Sequence, residues 1–310
     1  MFRYLLFVLL GVLAAVYLST WMKNVRAVEQ ARSEDGMRPS ALHLLIGFVT
    51  NFFDTFGIGS FAPTTSWFKL QDVVPDEHVP GTMHVGHSPP VIVQAFIFIA
   101  IIEVDLLTLG ALIGASVIGA WLGAGTVSQW PRRNIQIGMG IALVIAAVTF
   151  VAANLGFAPV GGASIGLTGV GLGIGIVGSV VLGALMTLGI GMYAPSMIMI
   201  SVLGMNPAVA FPIMMGSCAF LMPVAAMRFL PANSYSLRPA IGLALGGLPA
   251  VLIAALIVEA FPLTLMRWLV VIVVTYAAIM MLRSAYIERP GQRLRLSAPL
   301  EEHAREHDLQ

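Results

Sequence analysis

Two ten-residue strings of one pattern stand 132 positions apart: Thr55-Phe56-Gly57-Ile58-Gly59-Ser60-Phe61-Ala62-Pro63-Thr64 and Thr187-Leu188-Gly189-Ile190-Gly191-Met192-Tyr193-Ala194-Pro195-Ser196. At the same offset Gly110 and Gly114 correspond to Gly242 and Gly246, a small-xxx-small helix-packing face in each half. A shared Thr-x-Gly-Ile-Gly-x-aromatic-Ala-Pro-hydroxyl string at one constant offset marks an internal duplication. The duplicated units run over residues 41–154 and 174–287.

Each string interrupts an apolar stretch, and the composition says what surrounds it. Hydrophobic residues make up 58% of the 310-residue chain and charged residues only 10%, where a soluble domain carries roughly a quarter charged. A polytopic helical membrane protein fits this. Lys+Arg 16 against Asp+Glu 15 gives a net charge of +1, so there is no basic surface to neutralise phosphates and nucleic acid is excluded as a partner. The single cysteine, Cys218, permits neither an internal disulfide nor a cysteine metal cage.

A spanning helix needs about 20 apolar residues. Candidates lie at 4–22, 41–70, 90–104, 106–128, 134–154, 174–203, 207–227, 239–259 and 265–286. The first is read as a retained N-terminal membrane helix over 1–22, followed by a cytoplasmic linker over 23–40 with Lys23, Arg26, Arg32 and Arg38; residues 288–310 form a cytoplasmic tail.

Two glycines and a proline release backbone groups from a helix, which is tolerated at membrane depth only inside protein or beside a cavity. If each broken stretch turns back, the Arg132-Arg133 loop, the 228–238 loop and the arginine-rich tail all become cytoplasmic, as the positive-inside rule asks. Each unit then has a re-entrant hairpin plus three crossings, and an odd number of crossings inverts the second unit relative to the first. Paired broken helices in inverted repeats point to transport. The half-helix N-termini would offer unpaired N–H groups and positive dipole ends to an anion near the midplane.

The substrate-binding candidates are Thr55, Gly57, Gly59, Ser60, Thr64 and Thr65 of the first string, and Thr187, Gly189, Gly191, Tyr193 and Ser196 of the second. Asp54, beside the first break, is the proton-coupling candidate, or it caps the break by accepting backbone N–H bonds; its counterpart is Met186. Asn51, Gln94 and Ser217 are pathway candidates whose other role is to bridge helices. Glu103 and Asp105 read as a solvated outer loop, and Cys218 as a small packing residue.

His78, His84 and His87, with Asp72, Asp76 and Glu77, read as a solvated loop rather than a metal site, because Pro75, Pro80, Pro89 and Pro90 argue against a regular helix there. Gly173-Ile174-Gly175-Ile176-Val177-Gly178 matches a dinucleotide fingerprint in letters but lacks the preceding strand and following acid. No cofactor and no metal are expected, nor is an enzyme, since no nucleophile and acid–base constellation is present.

Gly57-Ile58-Gly59 and Gly189-Ile190-Gly191, each followed by a proline, and Gly204-Met205-Asn206-Pro207 leading into Ala210, resemble the sulfite exporter TauE/SafE permease family. The resemblance spans roughly residues 41–287. It implies a multi-span permease of the cell membrane for sulfite, sulfonates or related small anions. The expected partners are the anionic substrate and the lipid bilayer, and a homodimer is compatible with the sequence. A passive channel of the same architecture is the alternative, to be separated by uphill accumulation.

Overall fold

The computed structural model describes residues 2–31, 38–75, 77–126, 132–157, 162–186 and 191–287. These form eleven α-helices: α1 (Phe2–Ala31), α2 (Ala41–Thr55), α3 (Phe61–Leu70), α4 (Val79–Ile101), α5 (Leu106–Thr126), α6 (Arg132–Asn154), α7 (Gly169–Met186), α8 (Tyr193–Val202), α9 (Ala210–Phe229), α10 (Leu237–Glu259) and α11 (Leu263–Ile287). A 3₁₀ turn at Pro207–Val209 precedes α9. Among the described residues the only β pairing is one isolated bridge, Ser164 to Met205. The expected all-α class therefore holds, and seven of these helices are long and apolar enough to cross a membrane.

The membership of that seven differs from the expectation. It includes α7, expected as the entering half of a hairpin, and omits α5, whose qualifying apolar stretch, Leu106–Leu122, is just shorter than the 18 residues of α7. Both expected breaks are present: α2 stops at Thr55 before α3 starts at Phe61, and α7 stops at Met186 before α8 starts at Tyr193. Each returning helix begins two residues ahead of its proline, so Pro63 and Pro195 sit in a first turn, where N–H groups have no intrahelical partner. The first break is built on Gly57 (φ 91°) and Gly59 (φ 86°), backbone conformations that side chains with a Cβ avoid.

Two expectations are corrected by helix lengths. The linker over 23–40 is helical as far as Ala31, an extension of α1. The expected loop with His78, His84 and His87 is instead largely the start of α4, which begins at Val79 and continues through Pro89 and Pro90. Pro80 falls in the first turn, where a missing N–H costs nothing. Pro89 would leave the Val85 carbonyl without its intrahelical donor, and the Tyr17 hydroxyl of α1 donates to that carbonyl at 2.6 Å. The N-terminal helix thus repairs a break in α4. Among the described residues no group of three or more His, Cys, Asp or Glu could hold a metal; Asp76 lies outside them. Gly173 to Gly178 lie within α7, with no strand before them.

Contacts fix how the helices run. Phe7 stacks on Phe96 while Tyr17 reaches Val85, so α1 is antiparallel to α4. Phe98 stacks on Phe211 while Gly81 meets Phe229, so α4 is antiparallel to α9. Gly242 and Gly247 of α10 lie against His43 and Asn51 of α2, and Gly175 and Gly183 of α7 against Leu112 and Ser116 of α5, so both of these pairs are parallel. Arg133 of α6 donates to the Ala285 carbonyl of α11 at 3.1 Å. At an offset of 132, α2 on α10 and α7 on α5 are exchanged counterparts.

The expected small-residue face is half corrected. Gly242 and Gly246 do admit α2: a Cβ on Gly246 would sit 2.1 Å from the Leu44 carbonyl oxygen. Gly114 faces open space, and α5 is instead approached through Gly183, whose Cβ would sit 2.0 Å from the Ser116 oxygen, and through Gly119. The close approach is one turn further along α5 than the duplicated glycines indicate.

Candidate functional site

A cavity of about 570 Å³ lies between the two breaks. Its inner end is formed by Asp54, Gly59, Ser60, Gly191, Tyr193 and Cys218, and its lining continues to Lys69, Pro80, Phe229 and Ser284. The latter four lie at the end of the bundle where α4 begins, so the cavity runs from the breaks toward that end. At the opposite end the described loops are tied to one another. Asp105 N–H donates to the Ile165 carbonyl at 2.8 Å, Asn206 N–H to the Ser164 carbonyl at 2.8 Å, and Gly162 N–H to the Met205 carbonyl at 3.2 Å. The Thr108 hydroxyl donates to the Asp105 carboxylate at 2.7 Å and accepts from Leu167 N–H at 2.9 Å. Asp105 therefore caps α5 and helps tie these loops together, rather than standing in a solvated loop, whereas Glu103 is exposed as expected.

Helices α2 and α4 supply most of the polar side chains. Ser40 caps α2, accepting from His43 N–H at 3.3 Å, and α2 carries Asn51, Asp54 and Thr55 inward to its end. Asp54 is 2% exposed. Gln94 of α4 donates through Nε2 to the Asp54 carboxylate at 3.0 Å and to Thr55 Oγ1 at 2.9 Å. Ser60 and Tyr193 line the same inner end of the cavity, so residues of both breaks surround this carboxylate.

A second chain runs beside it. Asn51 Nδ2 donates to the Gly47 carbonyl at 2.7 Å, leaving its oxygen to face His87 Nδ1 at 3.1 Å. That assigns the hydrogen of a neutral His87 to Nδ1, and His87 Nε2, 3.0 Å from Thr64 Oγ1, accepts from the threonine hydroxyl. Asn51 is thus a bridge between α2 and α4. Thr55 donates to the Asn51 carbonyl at 2.8 Å, which ties the last turn of α2 together.

The sequence candidates divide accordingly. Asp54, Gly59, Ser60, Thr65, Gly191 and Tyr193 line the cavity. Asn51, Thr55, Thr64, Gln94, Ser196 and Ser217 are buried around it without lining it. Ser217 donates to Ser116 Oγ at 3.2 Å, a link between α9 and α5, and Gly57 abuts Met197 and Met214. Thr187 and Gly189 lie outside the described residues.

Several lining residues were missed. Gln136 of α6 is 3% exposed, faces the cavity and has no partner for its Oε1. A polar side chain inside an expected crossing was the available signal. Lys69 and His84 also line the cavity, as does Cys218, which is more than a packing residue. Six of the 28 lining residues are methionine, against 17 of 310 in the chain, and nothing in the sequence pattern gathers them.

This arrangement defines a helical bundle with a largely apolar cavity between two helix breaks, polar at its inner end. Compared with protein-family models, with curated proteins and with solved structures, the chain gives no match in any of the three.

Proposed function

We propose that the protein is a secondary transporter of the cell membrane that moves a small anion by alternating exposure of the cavity between the helix breaks. The single observation that carries this is the cavity itself: it ends at two half-helix N-termini and reaches one end of the bundle, while at the other end the described loops are tied together by backbone hydrogen bonds. Such a state is one of the two that alternating access requires. The exchanged packing of α2 on α10 and α7 on α5, each parallel, is what two inverted units with re-entrant hairpins produce. Lys23, Arg38, Lys69, Arg133, Arg228 and Arg238 gather at the end where α4 begins, which the positive-inside rule makes cytoplasmic, with the C-terminus on that side.

The anion assignment rests on the half-helix N-termini and on the resemblance to sulfite and sulfonate permeases. Asp54 constrains it. Two like charges 4 Å apart at an effective dielectric of 20 repel by about 4 kcal/mol, so an anion beside Asp54 requires its carboxyl to be protonated. Binding of the anion and of a proton are thereby linked. Tyr193 and Cys218 are the other titratable groups at this depth, with His84 and Lys69 further along.

The test is uptake of radiolabelled sulfite into proteoliposomes with and without a pH gradient, with sulfonates, thiosulfate, sulfate and acetate as competitors. Uphill accumulation driven by the gradient is expected. Equilibration without accumulation would make the protein a channel, and absence of flux or competition would remove the sulfur-anion assignment. Gly191→Leu gives the site control: a Cβ there meets no heavy atom within 4 Å, so the larger side chain enters the cavity and blocks flux in an inserted protein.

A further inference from the structure

The end of the cavity near the second break is built of sulfur. Cys218 Sγ lies 3.8 Å from Met186 Sδ, the last residue of α7 against the middle of α9. Met222 stands one turn beyond Cys218 on the same face of α9, and all three residues line the cavity. Cys218 and Met222 are each 2% exposed, shielded from competing water yet open to the cavity. Gln136 lines the same cavity, and its buried Oε1 has no hydrogen-bond partner.

The geometry points to a binding site for a soft monovalent metal ion of the copper(I) or silver(I) type, held by Cys218, Met186 and Met222. A metal–thiolate bond is about 2.3 Å long, so sulfurs sharing one trigonally coordinated ion stand about 4 Å apart, close to the separation found between the first two. Thiolate and thioether ligands together select copper(I) over zinc, magnesium or calcium, which prefer nitrogen or oxygen donors. Binding breaks the Cys218 S–H bond and forms a sulfur–metal bond. The proton leaves to the water of the cavity, the ion keeps its single charge, and no electron is transferred. This site goes beyond the anion transport proposed above and does not depend on it, since it uses neither half-helix N-terminus.

The test uses the full-length protein in detergent under anaerobic, reducing conditions, competing for copper(I) with a chromogenic chelator. One copper(I) per chain is expected to leave the chelator, silver(I) to compete for it and zinc(II) not to. Cys218→Ser should weaken binding more than about 100-fold, beyond the 10–100-fold that losing a merely supporting contact costs. Met222→Leu, which keeps volume and apolarity, should weaken it at least about tenfold with an unchanged melting profile, and it decides the matter should Cys218→Ser fail to fold. Met280→Leu, elsewhere on the cavity wall, should bind as the parent does. A folded parent protein that leaves the chelator's copper(I) untouched overturns the site. So does parent-like binding by both Cys218→Ser and Met222→Leu, which would put the ion elsewhere, or displacement by zinc(II). Sulfite flux is measured separately, so either result can fail without the other.

Discussion

Replacing Gly183 with alanine tests the packing that holds the two halves together. The added Cβ would lie 2.0 Å from the Ser116 carbonyl oxygen, whereas ordinary contact begins at 3.4 Å, so α7 and α5 must separate by roughly 1.4 Å. The obstructing atom is backbone in a regular helix and cannot swing aside. Overpacking of this kind costs about 1–3 kcal/mol, and the gain from replacing a helical glycine returns only about 0.5–1 kcal/mol, leaving a net loss of up to about 2.5 kcal/mol. Gly246→Ala, on the exchanged α10 to α2 contact, meets the Leu44 oxygen at 2.1 Å and should lose a similar amount. Gly114→Ala meets nothing within 4 Å and should gain the helix term alone. Melting of the purified proteins in one detergent reads the ranking: Gly114→Ala above the parent, the other two below it by similar margins. Gly183→Ala melting at or above Gly114→Ala would refute the close approach, and with it the exchanged packing.

Tyr17→Phe removes the donor that Val85 receives in place of the Pro89 N–H, and should lower stability by about 0.6 kcal/mol and at most about 1.7 kcal/mol, the average and the maximum for interhelical hydrogen bonds in a membrane; the melting temperature checks it. Asp54→Asn keeps the hydrogen-bonding size but cannot take up a proton, so sulfite uptake should persist at low rate and lose its response to an imposed pH gradient. Retained gradient-driven accumulation would remove Asp54 from coupling. Because Cys218 is the only cysteine and lines a cavity reaching the end where α4 begins, a membrane-impermeant thiol reagent should label it in inside-out vesicles and not in right-side-out ones, as mass spectrometry would read.

What the sequence made legible follows from what kind of signal each feature leaves. The breaks at Gly57 to Pro63 and before Pro195 were readable, because glycine accepts a positive φ at no steric cost and a first turn accepts proline without loss. The start of α4 was not: its prolines argue locally against a helix, and the compensation comes from Tyr17, 68 residues away in the chain. Tertiary repair of a local defect has no local signature. Likewise Asn51 and Asp54 were identifiable as costly groups in an apolar run, but that Asn51 is consumed by Gly47 and His87 depends on where α4 lies. Glycine pairs gave the α10 face correctly and misplaced the α5 face, because a small-residue pattern says that close approach is allowed without saying which turn uses it.

The proposed duplication also explains why the two breaks differ in chemistry. At the common offset, Asn51, Asp54, His87 and Gln94 correspond to Gly183, Met186, Ala219 and Ala226, so these four polar side chains have small or apolar counterparts, while Thr55 and Thr64 correspond to Thr187 and Ser196. The second unit cannot build that network, and its substitutions serve other ends: Gly183 admits the α5 backbone, and Met186 meets Cys218. In the reverse direction Cys218 and Met222 correspond to Gly86 and Pro90, so the sulfur cluster has no copy in the first unit. A site repeated in both halves would confront a ligand with two similar acids, whose mutual repulsion in a buried cavity is large. Placing one carboxylate in one half and thioethers in the other leaves a single carboxylic acid at the junction, with Tyr193 of the second break lining the same end of the cavity, so that one proton on Asp54 can set the charge of the place where both breaks meet.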